Sequence, residues 1–481
     1  MKLKNASLFQ QSSYINGKWV TAKKTIKVIN PATQEIIGTI PDLQSKETVY
    51  AISAAERAWP MWQSKTATER SERLHRWYEL ILENIDDLAQ LLTREQGKPL
   101  KEAIEEIRYG ASFIQWFAEE GKRVYGDILP APLPQQHLFV RKQAIGVVGA
   151  ITPWNFPSAM ITRKCAPALA AGCTLVLKPS GLTPFSALAL ATLAEKADIP
   201  PGVFNIVTGD SELIGDIFTE SPSLRKLSFT GSTAIGKLLM QKAAHSIKKI
   251  SLELGGNAPF IVFDDADIDQ AVLGAITSKF RNSGQTCICT NRFYIHEKIY
   301  ETFSKKLTHA IQQLTVGNGL EENTQLGPLI NQLAIKKVEK HIADALQKGA
   351  ELMCGGRTHV LGGSFFQPTL LKNCTADMLI AKEETFGPVA GLFKFSDEKE
   401  AIKLANNTEY GLAAYFYAKN IDRVIRVAEQ LDYGIIGANT GRVSNAVAPF
   451  GGFKQSGIGR EGSKYGIEEY LEIKYVCLNT R

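Results

Sequence analysis

The sequence predicts an α/β fold, a parallel sheet with covering helices, repeated in more than one domain. Three observations carry this reading. Short apolar, β-branched runs alternate with helix-patterned stretches up to about residue 254. A second alternating series starts near 258 and continues to about 440. The chain has 481 residues, too many for one ordinary core, so two or three domains are expected.

In chain order, residues 45–120 read as helical, with apolar residues at helical spacing in "TERSERLHRWYELILENIDDLAQLLTREQGK". The stretch 127–150, "DILPAPLPQQHLFVRKQAIGVVGA", is Pro-rich and then β-branched and reads as extended. Strands are expected at "GVVGAIT", "TLVLKP", "FNIVTG", "KLSFTG" and "ISLELGG". In the second series "APFIVF" and "RFYIH" read as strands, with helices through 269–282 and 297–314. The sequence has no internal repeat and no low-complexity linker.

Composition narrows the function classes. Hydrophobic residues make up 44% and charged residues 22%, as in a soluble globular protein. The net charge of +6 is spread without a block of like charges, which argues against nucleic-acid binding. The N-terminal "MKLKNASLFQQSSYINGKWV" lacks the apolar run of a secretory leader, and no segment reads as membrane-spanning. Seven scattered cysteines do not suggest a disulfide scaffold, so a reducing, cytoplasmic setting is expected. The seven histidines form no ligand-spaced cluster with cysteine, and no metal site is assigned.

Several short stretches can carry chemistry. "NSGQTCICTN" surrounds Cys287 and Cys289 with Gly, Ser, Asn and Thr, so backbone amides can face a ligand or favour a thiolate. Buried cysteine is otherwise an inert small hydrophobe, the reading given to the other five. In "LELGGNAP", Glu253 ends a strand before a double glycine. It is either a solvated strand-end carboxylate or a desolvated general base with a raised pKa. In "ITPWNFP", Asn155 follows a strand at the end where α/β sheets bind ligands; its amide either shapes a turn or donates to an oxyanion. "FTGSTAIGKL" mimics a P-loop, but Leu238 stands where Ser or Thr would hold magnesium. It still reads as strand, glycine turn and helix N-terminus, with Ser232 able to cap. In "LVLKPSGLTP", Lys178, Ser180 and the Gly181 backbone can meet a ribose or phosphate. With no acid at 179–182, nothing there would repel a 2′-phosphate.

Together "TPWNFP", "LKPS", "FTGSTAIG", "LELGGNAP", "GQTC", "EETFGPV" and "PFGGFKQSGIGREG" resemble the aldehyde dehydrogenase superfamily over about residues 12–478, in family order and with 34 residues from Glu253 to Cys287. The resemblance implies a Rossmann-type cofactor domain, an α/β catalytic domain and a β oligomerisation arm. It makes Cys287 the nucleophile, Glu253 the general base and Asn155 the oxyanion donor, with Glu461 and Lys178 relaying a proton. Around a nicotinamide cofactor it sets Trp154, Lys178, Ser232 and Leu254, together with Thr152, Ser180, Gly181 and Gly231. Glu384 and Phe386 would meet the nicotinamide ribose and ring. NADP is the expected cofactor, with NAD as the second candidate. The parts expected are a cofactor domain over 10–126 and 145–254, a catalytic domain over 255–445, and an arm from 127–144 and 468–481. The arm would pair with another copy in a homodimer or homotetramer.

Arg163 in "MITRKC", Arg281 in "FRNSGQTC" and Ser444 in "RVSNAVAPFGG" look like the carboxylate pocket of succinate-semialdehyde dehydrogenases. An aldehyde with a distal carboxylate is therefore the expected substrate, held through charge-assisted hydrogen bonds. Ala446 stands near where many members of that subfamily carry glutamate, which keeps glutarate semialdehyde in view. A non-catalytic binding protein on the same fold is the rival of another class. Cys289 is read as packing, or as the resolving thiol of an oxidative disulfide with Cys287.

Overall fold

The computed structural model describes residues 3–480. Four helices fill the region read as helical: Ser45–Ser64, Ala67–Glu83, Ile85–Gln96 and Leu100–Glu120. Local signals set their ends. Thr66 and Glu69 form a reciprocal capping box at the second. Gly97, at φ +96°, stops the third in the left-handed conformation that glycine adopts without penalty. Pro99 then opens the fourth, leaving Gln96 and Lys98 at a buried corner.

The first sheet has eight strands, in the order Lys18–Val20, Ser13–Ile15, Phe204–Ile206, Thr174–Lys178, Val147–Ile151, Leu224–Thr230, Lys249–Glu253 and Gly457–Ile458. The five central strands are parallel and the edge strands antiparallel. Two of those central strands, Thr174–Lys178 and Phe204–Ile206, are buried along their whole length, and Val147–Ile151 nearly so, which explains why they read as continuous apolar runs. The register sets Ile151 beside both Lys178 and Phe229, and Thr230 beside Glu253. Thr152, Lys178, Thr230 and Glu253 thus gather at the carboxyl end of the sheet, where open α/β sheets bind ligands.

The second sheet runs Glu351–Cys354, Thr369–Lys372, Val389–Phe395, Thr290–His296, Ala258–Val262, Ala413–Tyr417 and Ile435–Ala438, parallel except for its first pair. The short link 254–257 joins the carboxyl end of the first sheet to the amino end of the second. Cys287 precedes Thr290, which pairs with Ala258, so it reaches the same seam as Glu253. The approach is close: a Cβ on Gly256 would stand 2.5 Å from the Cys287 carbonyl oxygen.

A third sheet pairs Leu471–Asn479 with Gln136–Ala144 along nine residues, and Asp127–Leu129 adds to it. It projects Ile128, Ile473 and Tyr475 into solvent. Two details differ from the sequence reading. The last strand begins at Leu471, because Ser463–Glu468 is helical. The stretch 446–467, which the sequence reading gave to no part, supplies the edge strand beside Glu253. Among the described residues no helix is long and apolar enough to cross a membrane.

Candidate active site

A cavity of about 360 Å³ opens at the seam of the two sheets. Trp154, Asn155, Gly231, Ser232, Glu253, Leu254, Cys287, Glu384 and Phe386 all line it. The structure thus brings together nine of the positions singled out in the sequence.

Asn155 is fixed on three sides. Its Nδ2 donates to the Gln285 carbonyl at 3.0 Å, and its Oδ1 accepts from Phe156 N–H at 3.1 Å. Its own carbonyl accepts from Lys98 Nζ and Asn282 Nδ2. One Nδ2 hydrogen remains for the cavity. Cys287 follows the left-handed residues Asn282, Ser283 and Gly284, which turn the chain after helix Ile268–Phe280. Burial pushes its thiol up to about 12, Arg163 and Arg281 opposing, Glu384 and Glu253 adding to the rise. The resting thiol is therefore protonated at neutral pH, and its attack requires a proton acceptor.

Glu253 is such an acceptor. It is buried, and neither carboxylate oxygen has a hydrogen-bond partner among the described residues. Burial, and then the negative charge of Glu461, hold its pKa well above the ordinary carboxylate value. Glu461 goes the other way. Burial would raise it, but Lys164 and Arg163 keep it low, with Lys164 Nζ 2.6 Å from Oε1 and Arg163 Nη2 2.7 Å from Oε2. Two carboxylates in one buried neighbourhood are thus split into a protonatable one and an ionised one.

The two residues expected to relay the proton are not joined to each other. Lys178 does not partner Glu461: its ammonium donates to Ser211 Oγ at 2.5 Å, and burial lowers its pKa to about 8. The lysine at Glu461 is Lys164, which also donates to Ser228 Oγ. Sequence reading passed over it because it sits next to Arg163 on an apolar helix, where only the fold shows which way each charge points.

On the cofactor side, Trp154 and Phe386 meet edge to face at 5.5 Å. Phe386 holds φ +56°, a strained value for an aromatic residue. Glu384 accepts from Gly256 N–H at 3.1 Å, and burial raises its pKa to about 7. Ser232 caps helix Thr233–Ala243 through Ile235 N–H. A Cβ on Gly236 would press on Leu254 at 2.4 Å, so glycine there lets that helix pack against the site. Thr152 and Thr230 keep buried hydroxyls without partners. Ser180 and Gly181 lie off the cavity wall, half exposed, with open space beyond Gly181.

The three substrate-pocket candidates have different surroundings. Arg163 is buried, in ionic contact with Glu461 and stacked 4.0 Å over Phe450. Its Nε has no acceptor. Arg281 borders a second cavity with Glu102, Glu105 and Arg442, lies 5.2 Å from the Phe156 ring, and has no ion-pair partner among the described residues. Ser444, in the loop before Phe450, is half exposed and lines no described cavity. Tyr109, which sequence reading missed, is half-buried within the electrostatic reach of Arg163, Arg281 and Cys287, and its buried hydroxyl is unpartnered among the described residues. Ile330, Asn331, Leu333, Ala334 and Lys337, from a segment without a motif, also line the main cavity. The thiols of Cys287 and Cys289 are both free, and the Cys289 sulfur rests 3.3 Å from Lys279 Nζ.

Comparison with known proteins bears on these features together. The sequence profile of the Aldehyde dehydrogenase family matches residues 19–476. The chain belongs to the aldehyde dehydrogenase family. It is 60% identical to a glutarate-semialdehyde dehydrogenase of Pseudomonas aeruginosa over 480 residues, covering 99% of each chain. It is 59% identical to an NADP(+) succinate-semialdehyde dehydrogenase of Escherichia coli K12, covering 99% of this chain and all of that one. The crystal structure of a succinate-semialdehyde dehydrogenase from Burkholderia pseudomallei matches with TM-score 0.99 at 59% identity over the full length of both chains. The fold is that of an aldehyde dehydrogenase, and the chain is an aldehyde dehydrogenase enzyme.

Proposed function

We propose that this aldehyde dehydrogenase oxidises succinic semialdehyde to succinate, with NADP as the preferred cofactor and NAD as the second candidate. The observation that carries the substrate is a set of unused donors near Cys287: Arg163 Nε and the Tyr109 hydroxyl, both buried and unpartnered, and the unpaired guanidinium of Arg281. Buried donors without acceptors await one, and a substrate carboxylate supplies it.

Proton movement organises the chemistry. Cys287 gives its proton to Glu253 and attacks the aldehyde carbon. The oxyanion falls to the free Asn155 Nδ2 hydrogen and the Cys287 backbone N–H. A bound nicotinamide supplies the hydride acceptor. Loss of hydride leaves a Cys287 thioester; Glu253 passes the proton taken from Cys287 to the Glu461–Lys164 pair and, deprotonated again, activates water against the thioester. The cofactor's ribose and phosphates fit the unpartnered Thr152 and Thr230 hydroxyls, the Gly231–Ser232 turn at a helix N-terminus and the Glu384 carboxylate. Lys178, with Ser180 and no acid at 179–182, supports a 2′-phosphate.

Glutarate semialdehyde is the second reading, favoured by the Pseudomonas aeruginosa relative. One methylene discriminates by only about 1–3 kcal/mol, so overlap follows. Assaying both semialdehydes and a neutral aldehyde at 340 nm with each cofactor tests the proposal; preference for the neutral aldehyde would discard the carboxylate pocket. We assign the cofactor part to 10–126 and 145–254, the catalytic part to 255–445 and the arm to 127–144 and the C-terminal strand. The apolar residues exposed on the third sheet support pairing of that arm in a homodimer or homotetramer.

A further inference from the structure

We infer that the buried pair Lys98–Glu106 is a positioning device that sets the Asn155 amide for oxyanion binding; this rests on the role given to Asn155 above. Lys98 Nζ lies 2.5 Å from Glu106 Oε2 and 2.8 Å from the Asn155 carbonyl oxygen, with the Phe156 ring 3.8 Å away. Neither side chain of the pair is more than 1% exposed. Glu106 Oε1 accepts from Ser158 and Ala159 N–H, the first amides of helix Ala159–Ala171. The two charges therefore grip the 155–159 segment from both ends: Lys98 holds the peptide that follows the Asn155 side chain, and Glu106 holds the start of the helix.

The same corner reaches the nucleophile loop. Lys98 N–H donates to Gln96 Oε1, Gln96 Nε2 donates to Asn282 Oδ1, and Asn282 Nδ2 returns to the Asn155 carbonyl. Glu102 accepts from Asn282 N–H and so helps hold that residue in its left-handed conformation. Asn155 and the turn leading to Cys287 are thus indexed to one rigid corner between two helices. A Cβ on Gly110 would lie 3.2 Å from the Ala159 Cα, so glycine permits the helix contact that brings Glu106 into place. A buried ion pair is a poor source of stability compared with well-packed apolar residues. Here its hydrogen bonds go to the backbone of the loop that carries the oxyanion donor. None of these residues touches the reacting atoms; they act through Asn155, by preorganisation.

The test is a double-mutant cycle on the full-length enzyme, read with whichever aldehyde the wild type oxidises fastest. Asn155→Ala is expected to lower kcat by about 10²–10³-fold. Lys98→Gln, which keeps a donor in the buried site, is expected to lower kcat roughly tenfold or more in the wild-type background and less than twofold in the Asn155→Ala background. Cofactor affinity and the rate of Cys287 alkylation should change less than twofold. Equal kcat losses in both backgrounds, or a lowered melting temperature with kcat intact, would overturn the clamp. If Lys98→Gln does not fold, Gln96→Leu cuts the Asn282 link and is held to the same non-additivity. An Asn155→Ala enzyme as active as wild type would overturn the oxyanion role itself, and the clamp with it, a result distinct from additivity.

Discussion

Lys164 and Glu461 form a buried ion pair, Nζ to Oε1 at 2.6 Å, across 297 residues of sequence. The pair lowers the Glu461 pKa, and the negative charge of Glu461 in turn helps raise that of Glu253. Removing that negative charge lowers the Glu253 pKa. Glu253 works as a base only when deprotonated, so the acid limb of the kcat–pH profile of Glu461→Gln should move to lower pH. A limb that stays put or moves up would break the proposed coupling.

The two arginines predict different kinetic signatures. Arg281 has no ion-pair partner among the described residues, so Arg281→Ala should raise KM for succinic semialdehyde roughly 10–100-fold, as loss of a charge-assisted hydrogen bond implies, with kcat nearly unchanged. Arg163 also contacts Glu461, so Arg163→Ala should lower kcat as well. For a neutral aldehyde the KM effect of Arg281→Ala should vanish.

Desolvation pushes the Glu384 carboxyl up to about 7. Its anionic form is the better acceptor for ribose hydroxyls. KM for the cofactor should therefore fall as pH rises through about 7, and Glu384→Gln should flatten that dependence and raise KM about tenfold at pH 8. Stopped-flow cofactor titration across pH 6–8 checks both.

Glu253 has consequences for stability too. Its folded pKa lies above the unfolded value, so its favourable contribution is fully present below the unfolded carboxylate pKa and is lost as pH rises through the folded one. Glu253→Gln should thus melt above wild type near pH 8, with the gap closing toward pH 4.5. Calorimetry at the two pH values decides it.

The two cysteines should separate cleanly. Cys287→Ala should abolish turnover. Cys289, held against Lys279, should tolerate alanine with kcat within about threefold. Peroxide inactivation that thiol reductant reverses in wild type but not in Cys289→Ser would establish the disulfide reading; indistinguishable behaviour would leave Cys289 to packing.

Much of this site was legible in the sequence because it sits at chain punctuation. Asn155, Lys178 and Glu253 stand at or just past strand ends, and Cys287 follows a glycine turn, all positions that local pattern exposes. What stayed hidden depends on direction. Lys164 and Arg163 are neighbours on a helix whose residues are all buried, and no local signal says that Glu461, near the other end of the chain, faces both. Tyr109 and Lys98 lie in helical text whose periodicity predicts packing but not an unused hydroxyl or a buried ammonium. The Gly457–Ile458 strand is too short to show a period.

That short strand also gives the site a birth order. Glu253 is paired on one side by Gly457, and its partner carboxylate is Glu461, so both wait on residues made long after Glu253 itself. Chains grow and fold from the N-terminus at roughly 5–20 residues per second. A ribosome-bound chain can hold the cysteine loop long before it holds the finished base, and its thiol stays without this machinery until residues 457–461 have emerged.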